Sequence, residues 1–521
     1  MLQKVFILAV SVVTIFGCNN DVEKEMPSTN SNVWFQEPHR PQIHFTPQAN
    51  WMNDPNGMVY YDGEYHLFYQ YYPDSTVWGP MHWGHAVSTD LVHWEHLPIA
   101  LYPDSLGYIF SGSAVVDHNN SSGLGKDGKP ALIAIFTHHD AEGEKAGRND
   151  FQYQSIAYSN DKGRTWTKYE GNPVVPNEKP IRDFRDPKVI WDEMHQQWLM
   201  VFAAADRVMF WTSNNLIDWK NTGEFGADVG GHGGVWECPD LFPIQVKETG
   251  DTKWVLLLSI NPGGPNSGSA TQYFVGDFDG NQFTLDPSFV RKVENGRGEW
   301  IDYGRDNYAG VTWSDLPRSD HRKIFLGWMS NWDYAQVVPT KNWRSAMTVP
   351  REITLHFEDE YYLTFNPVKE LKTLYKSEKP DFVGELGKTK ISVANPSHIE
   401  LELPDGKRGG WQLTFSNDKG EEYSLSYDRE TNLFSSDRRK SGATAFSEKF
   451  AAAVHTGKRA SQNYNIPLDI YLDHASIEIF ADNGRTVFTE IFFPESPYTT
   501  MELRGVEGDV VVHALQSIWE K

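Results

Sequence analysis

Ser88-Thr89-Asp90-Leu91-Val92-His93-Trp94 and Ser213-Asn214-Asn215-Leu216-Ile217-Asp218-Trp219 are two copies of one phrase: a serine, a leucine three positions on and a tryptophan six positions on. Ser159-Asn160-Asp161-Lys162-Gly163-Arg164-Thr165-Trp166 is a looser copy built around a glycine turn. Upstream of two copies stands an acid beside a proline, Asp54 ahead of Trp94 and Asp186 ahead of Trp219. After each acid come an apolar run, a polar turn (Asp62-Gly63, then Asp192-Glu193) and a second apolar run. Recurrence of one strand-rich unit is the signature of radial or solenoid repetition. A β-propeller satisfies it best, because its sheets leave short, protected edges and converge their inner strand ends on one axis. A β-sandwich with chance similarity is the alternative. Trp94, Trp166 and Trp219 read as core.

The surrounding sequence agrees with an all-β class. Short apolar and aromatic runs, among them His66–Tyr72, Leu132–Thr137, Trp198–Ala203 and Trp254–Ile260, recur between Gly, Asn, Asp and Pro turns, and helical periodicity is scarce. The composition changes near residue 366. Asn366 to Tyr375 reads as a short helical connector, and beyond it alternating strands separated by Asp405-Gly406, Lys419-Gly420 and Asn483-Gly484 read as a β-sandwich. The expected organisation is a propeller over 37–366, a linker over 367–380 and a C-terminal β-sandwich over 381–521.

Lys plus Arg number 47 against 70 Asp plus Glu, a net charge of −23, which argues against nucleic-acid binding. Nothing in the sequence sets an oligomeric state. Nineteen tryptophans supply rings that either stack on sugars or fill β cores. At the N-terminus, Lys4 precedes an apolar run from Val5 to Phe16, too short to span a bilayer, and Gly17-Cys18 closes it. This resembles a lipoprotein signal over 1–18 with Cys18 as the lipidated residue; an ordinary cleaved signal is the alternative. Asp21, Glu23 and Glu25 resemble the acidic tract of surface-directed lipoproteins, and 19–36 reads as a flexible tether. The expected location is that of an exported lipoprotein, at the outer membrane, cell surface or periplasm, held to the membrane by its N-terminal lipid only.

The chemistry concentrates at Trp51-Met52-Asn53-Asp54-Pro55-Asn56-Gly57. Its Asn, Pro and Gly are turn residues, so Asp54 is expected at the mouth of a strand. Asp186 in Arg185-Asp186-Pro187 and Glu237 in Glu237-Cys238-Pro239-Asp240 have similar settings. Three acids opening strands are what a carboxylate-run glycosidase needs. Taken singly, each has a structural reading: an Asx turn for Asp54, an ion pair for Arg185 and Asp186, a surface acid for Glu237. Cys238 has no cation nearby in sequence to lower its pKa, which argues against a nucleophilic role; it is either a small buried residue or one that tunes the surroundings of Glu237.

These residues, with Phe68-Tyr69-Gln70, Trp83-Gly84-His85, Phe110-Ser111-Gly112, Tyr303-Gly304 and Gly327 to Trp332, resemble glycoside hydrolase family 32, the invertases, inulinases and levanases. The resemblance runs from about His39 to the C-terminus and implies a five-bladed β-propeller followed by a β-sandwich. It implies Asp54 as nucleophile, Glu237 as acid/base and Asp186 as transition-state stabiliser. Asn53, Gln70, Trp78, Phe110, Ser111, Arg185 and Trp332 are implied as the sugar pocket. No cofactor is implied, and no metal is required. Retaining chemistry would place the nucleophile and acid/base carboxyls about 5–5.5 Å apart. It would also have Glu237 the more desolvated or the closer to another negative charge. The implied substrate is a fructan, levan or inulin, or a fructo-oligosaccharide, with sucrose also in range. A fructosyltransferase and a non-catalytic fructan-binding lipoprotein are the alternatives, with a propeller glycosidase of arabinose or xylose polymers behind them. Linkage preference is expected to reside in rim segments such as 140–150 and 230–235. The segment Tyr273 to Gly280 resembles levanases and inulinases more than plant invertases.

Overall fold

The four apolar runs quoted above are each the second strand of a different sheet, where both faces are covered. They form Glu64–Tyr72, Leu132–His139, Gln197–Ala204 and Thr252–Asn261, and every residue of Leu132–His139 is buried. The computed structural model describes residues 34–405 and 409–520. Cys18, the signal and most of the tether lie outside them. Phe35, which composition assigns to the tether, instead stacks on Trp519 with ring centroids 3.8 Å apart. An aromatic ring beside Pro-rich sequence finds a partner at the far end of the chain, so the segment read as tether contributes a packed residue.

Between residues 50 and 367 the described chain forms five sheets of four or five strands. Their innermost strands are Asn50–Tyr61, Tyr108–Val116, Phe184–Asp192, Val235–Gln245 and Tyr308–Thr312. Each lies against the next, and the last returns to the first, so the strands ring a common axis as in a β-propeller. A strap seals the ring: Trp343–Arg344 pairs in parallel with Asn50 and Trp51.

The repeat has a physical cause. In each of the first three sheets it is the turn from the third to the fourth strand. Asp90 Oδ1 accepts from the Val92 and His93 amides, and Asn215 Oδ1 accepts in the same way from Ile217 and Asp218. Asp161 Oδ1 takes the Thr165 amide. Leu91 and Leu216 sit at φ +67° and +64°, strained conformations held by complete burial. Trp94, Trp166 and Trp219 are half-buried, packed on the margins of the core. A fourth such turn, at Asp279, lacks both Ser and Trp and so escaped the pattern; its carboxylate caps Asn281 and Gln282.

A 3₁₀ helix, Lys369–Leu374, leads to two six-stranded antiparallel sheets that enclose a separate core including Leu401, Phe415, Leu425, Ile470 and Phe488. Asn483-Gly484 and Lys419-Gly420 turn between adjacent strands here; the turn at Asp405-Gly406 runs outside the described residues. The architecture is thus a β-propeller followed by a β-sandwich. The two are joined closely. Tyr303 and Asp306 donate backbone hydrogen bonds to Val487 and Thr489, and at Gly304 a Cβ would meet the Thr489 carbonyl oxygen at 2.1 Å. That close approach is why the Tyr303-Gly304 motif needs its glycine.

Candidate active site

All five inner strands break register with their neighbours, and the chemically suggestive residues cluster at the breaks. The irregularities fall between Met52 and Pro55, between Asn56 and Val59, between Ile109 and Gly112, between Glu237 and Asp240, and between Tyr308 and Val311. The strand Phe184–Asp192 breaks between Arg185 and Lys188. A bulge twists a strand and re-aims a side chain that strict alternation would send elsewhere. Gly57, Asp186, Cys238 and Ala309 carry φ values of +53°, +66°, +45° and +54° at these points. A side chain at Gly57 would press on Phe68 at 2.6 Å. The strained Asp186 is held by its N–H donating to Thr137 Oγ1, and Thr137 in turn donates to Gln154.

One expectation is corrected here. Asp54 does not stand in a turn before its strand. It lies within Asn50–Tyr61, whose ladder runs through the whole Asn-Asp-Pro-Asn-Gly sequence by bulging. Residues that favour turns also favour bulges, and the composition is the same for both.

The bulges bring three carboxyl groups to one cavity of about 290 Å³. Asp54 accepts from Ser111 Oγ at 2.7 Å and from Asn53 Nδ2 at 3.0 Å. Asn53 is itself fixed by Trp51 Nε1, 2.7 Å from its Oδ1. Burial pushes the Asp54 carboxyl up; the Ser111 bond pulls it back and the neighbouring Glu237 charge raises it further. Asp186 accepts from the Cys238 amide at 3.0 Å. Burial pushes Asp186 up to about 7 against the pull of Arg185, with Glu237 and Asp54 adding repulsion. Glu237 Oε1 accepts from Arg185 Nη2 at 2.9 Å, and Oε2 accepts from the Tyr308 hydroxyl. Burial, with the Glu237 charge beside it, lifts the Tyr308 phenol well above its usual range, so it remains a donor.

All the residues implied as pocket lining do line this cavity: Asn53, Gln70, Trp78, Phe110, Ser111, Arg185 and Trp332. Gln70 is fixed by donation to the Ile109 carbonyl, and Trp332 stacks on Trp51 with centroids 5.9 Å apart. Glu237, its side chain 19% exposed, faces the Arg185 guanidinium and lies close enough to Asp54 and Asp186 for its charge to raise both. Cys238, buried, lies with Sγ 3.5 Å from Asp54 Oδ2 and 3.6 Å from Asp186 Oδ2. Its one S–H is therefore shared between those two acids and does not reach Glu237. Burial and the surrounding carboxylates hold this thiol well above its normal range.

His139, Glu144, Phe151, Gln152, Asp183 and Gln336 complete the lining and were not singled out from sequence. A signal existed for His139 and Gln152. Polar side chains at the ends of the apolar strands Leu132–His139 and Gln152–Ser159 had no reason to be buried unless a polar cavity received them. Among the described residues, no cluster of His, Cys, Asp and Glu has the arrangement of a metal site.

The sequence matches two family profiles end to end: glycosyl hydrolases family 32 N-terminal domain over residues 44–367, and glycosyl hydrolases family 32 C terminal over residues 370–520. A levanase of Bacillus subtilis (strain 168) is 46% identical over 502 residues, covering 93% of this chain and 72% of the levanase. An extracellular exo-inulinase of Aspergillus awamori is 38% identical over 503 residues, covering 91% of this chain and 93% of its own. The crystal structure of the Aspergillus awamori exo-inulinase superposes with a TM-score of 0.86 at 36% identity, covering 93% of this chain and all of that one. The β-fructofuranosidase of Schwanniomyces occidentalis complexed with fructosyl-erythritol gives a TM-score of 0.81 at 31% identity, over 93% and 99% of the two chains.

Proposed function

The chain belongs to glycosyl hydrolase family 32 and is a glycosidase of β-fructofuranosidic bonds, and on that premise we propose that it hydrolyses fructans by a retaining double displacement. One observation carries this reading. Asp54 and Glu237 share a single small cavity but keep different company, Asp54 held by neutral donors and Glu237 by Arg185 and Tyr308. In the reading, Asp54 attacks the anomeric carbon while Glu237 gives its proton to the departing oxygen. Glu237 then takes a proton from the water that releases fructose. Asp186 and Arg185 hold ring hydroxyls as positive charge develops.

The levanase and inulinase relatives make β2,6- and β2,1-linked polymers the first substrates to test. Action outside the cytoplasm accords with the extracellular relatives, and the Gly17-Cys18 junction supports lipid attachment at Cys18. Incubation of residues 19–521 with levan, inulin and sucrose should release fructose, and Asp54→Ala should abolish it. With methanol as competing acceptor, proton NMR of the first-formed methyl fructoside should show the β anomer. An α product would overturn the double displacement, and oligosaccharide growth exceeding fructose release would identify a transferase.

A further inference from the structure

A chain of polar contacts leaves Glu237 and climbs to the pocket rim. Arg185 holds Glu237 with Nη2 and reaches Gln152 Oε1 with Nη1 at 3.4 Å. Gln152 Oε1 also takes the Phe184 amide at 2.9 Å, which fixes the side-chain amide's orientation and presents its Nε2 to His139 Nδ1 at 3.2 Å. An amide nitrogen only donates, so Nδ1 must accept and His139 carries its proton on Nε2. That nitrogen lies 3.2 Å from Glu144 Oε2, and the other Glu144 oxygen takes Arg182 Nη2 at 2.6 Å. The imidazole is clamped by Phe110, stacked 4.3 Å away, and by the edge of Phe151. Burial pushes His139 down to about 4, so it stays neutral and keeps this single tautomer.

The end of the chain is the open part. The Glu144 side chain is 36% exposed, lines the same cavity as the three acids, and is carried by the short helix Ala141–Lys145, which Asp140 caps through the Gly143 amide. Both its oxygens are already oriented, and each keeps a lone pair for a further donor. The fructosyl unit is fastened around Asp54. The atoms that depart lie on the Glu237 side, because that group must reach the leaving oxygen.

We propose that Glu144, oriented by His139 and Arg182, forms the binding subsite for the sugar beyond the scissile bond, accepting hydrogen bonds from the hydroxyls of that leaving hexose or ketohexose unit. This rests on the glycosidase reading above. It makes Glu144 a specificity residue and assigns the otherwise unused His139–Gln152 pair the task of tying it to the acid/base.

The test compares substrates that have such a sugar with one that does not. The ratio of kcat/KM for levanbiose, inulobiose and sucrose to kcat/KM for β-fructosyl fluoride should fall about tenfold in Glu144→Ala, the effect of losing a hydrogen bond to a charged group. It should fall less in Glu144→Gln. Arg182→Gln, an exposed change that leaves the carboxylate but frees it, should move the ratio in the same direction, so the proposal does not depend on the helix tolerating alanine. Ratios unchanged in all three variants, with wild type active, would overturn the subsite alone. A wild type inert toward every substrate, fluoride included, would overturn the glycosidase reading and the subsite with it.

Discussion

At the seam between propeller and sandwich, Glu478 accepts from Arg351 Nη2 at 2.5 Å, from the Val349 amide at 2.7 Å and from His44 Nε2 at 2.9 Å. Asp473 takes His44 Nδ1 at 2.7 Å, and Asp302 takes Arg351 Nη1 at 3.1 Å. In the central pocket, Asp54 and Asp186 are held by hydroxyl, amide and thiol groups, and the one guanidinium, Arg185, is divided among Asp183, Asp186 and Glu237 and does not pair with Asp54. Both regions gather buried carboxylates. Burial opposes ionisation in both, yet His44 and Arg351 hold Asp473 and Glu478 below the usual range, while Asp54 and Asp186 are raised. The difference lies in the count of fixed cations, and it separates charge used for fastening from charge kept available for chemistry.

The comparison can be broken most sharply at the pocket. Asp54→Asn should lower kcat by about 10⁴-fold or more, the scale on which loss of a covalent nucleophile acts. Its unfolding temperature should not fall, because an underpaired buried charge has been removed. A variant that loses stability in step with activity would show that the pocket also fastens the ring. Next in size, Arg351→Met should destabilise by about 3–5 kcal/mol, since it strands Glu478 and Asp302 without their cation. Denaturant unfolding would measure it, and the folded fraction should keep its KM for sucrose.

Two pH experiments sharpen the contrast at smaller scale. His44, raised to about 9 from an ordinary 6.5 by Asp473 and Glu478 despite burial, binds a proton in the folded state that the unfolded chain gives up. Its contribution is full below about 6.5 and lost as pH rises through about 9, so His44→Gln should flatten the alkaline fall in unfolding temperature. Asp186 has the opposite sense. Its folded form keeps a proton up to about 7 where the unfolded chain releases it near 3.8, so wild type should lose stability as pH rises between those values. Asp186→Asn should remove that slope, and thermal unfolding at pH 5 and pH 8 would reveal it. An unchanged slope would mean that the pocket carboxyls are better compensated than their partners suggest.

Much of this was legible beforehand. The apolar second strands and the Ser–Leu–Trp turns follow from local rules, namely burial on two faces and an Asx-type cap, and both can be read from spacing. Asp54, Asp186 and Glu237 were legible because their neighbours form distinctive motifs. The inner strands were not. A bulge at Asp186 or Cys238 puts a non-glycine residue at positive φ, and nothing in a single sequence announces it. Nor could spacing join Gln152 to Arg185 or Arg351 to Glu478, since those pairs are made by closing a ring and docking a sandwich on it.

The strap at Trp343–Arg344 has a consequence in time. A chain emerging N-terminus first has all three acids by residue 237, yet Asn50 and Trp51 have no parallel partner until the strap has been made. Ile43 and His44, just ahead of them, find their carboxylate only at Asp473. Contacts so distant in sequence form late and slowly. The ring that holds the three acids is therefore closed by partners from late in the chain, and its seam to the sandwich is made only when the two ends of the chain meet.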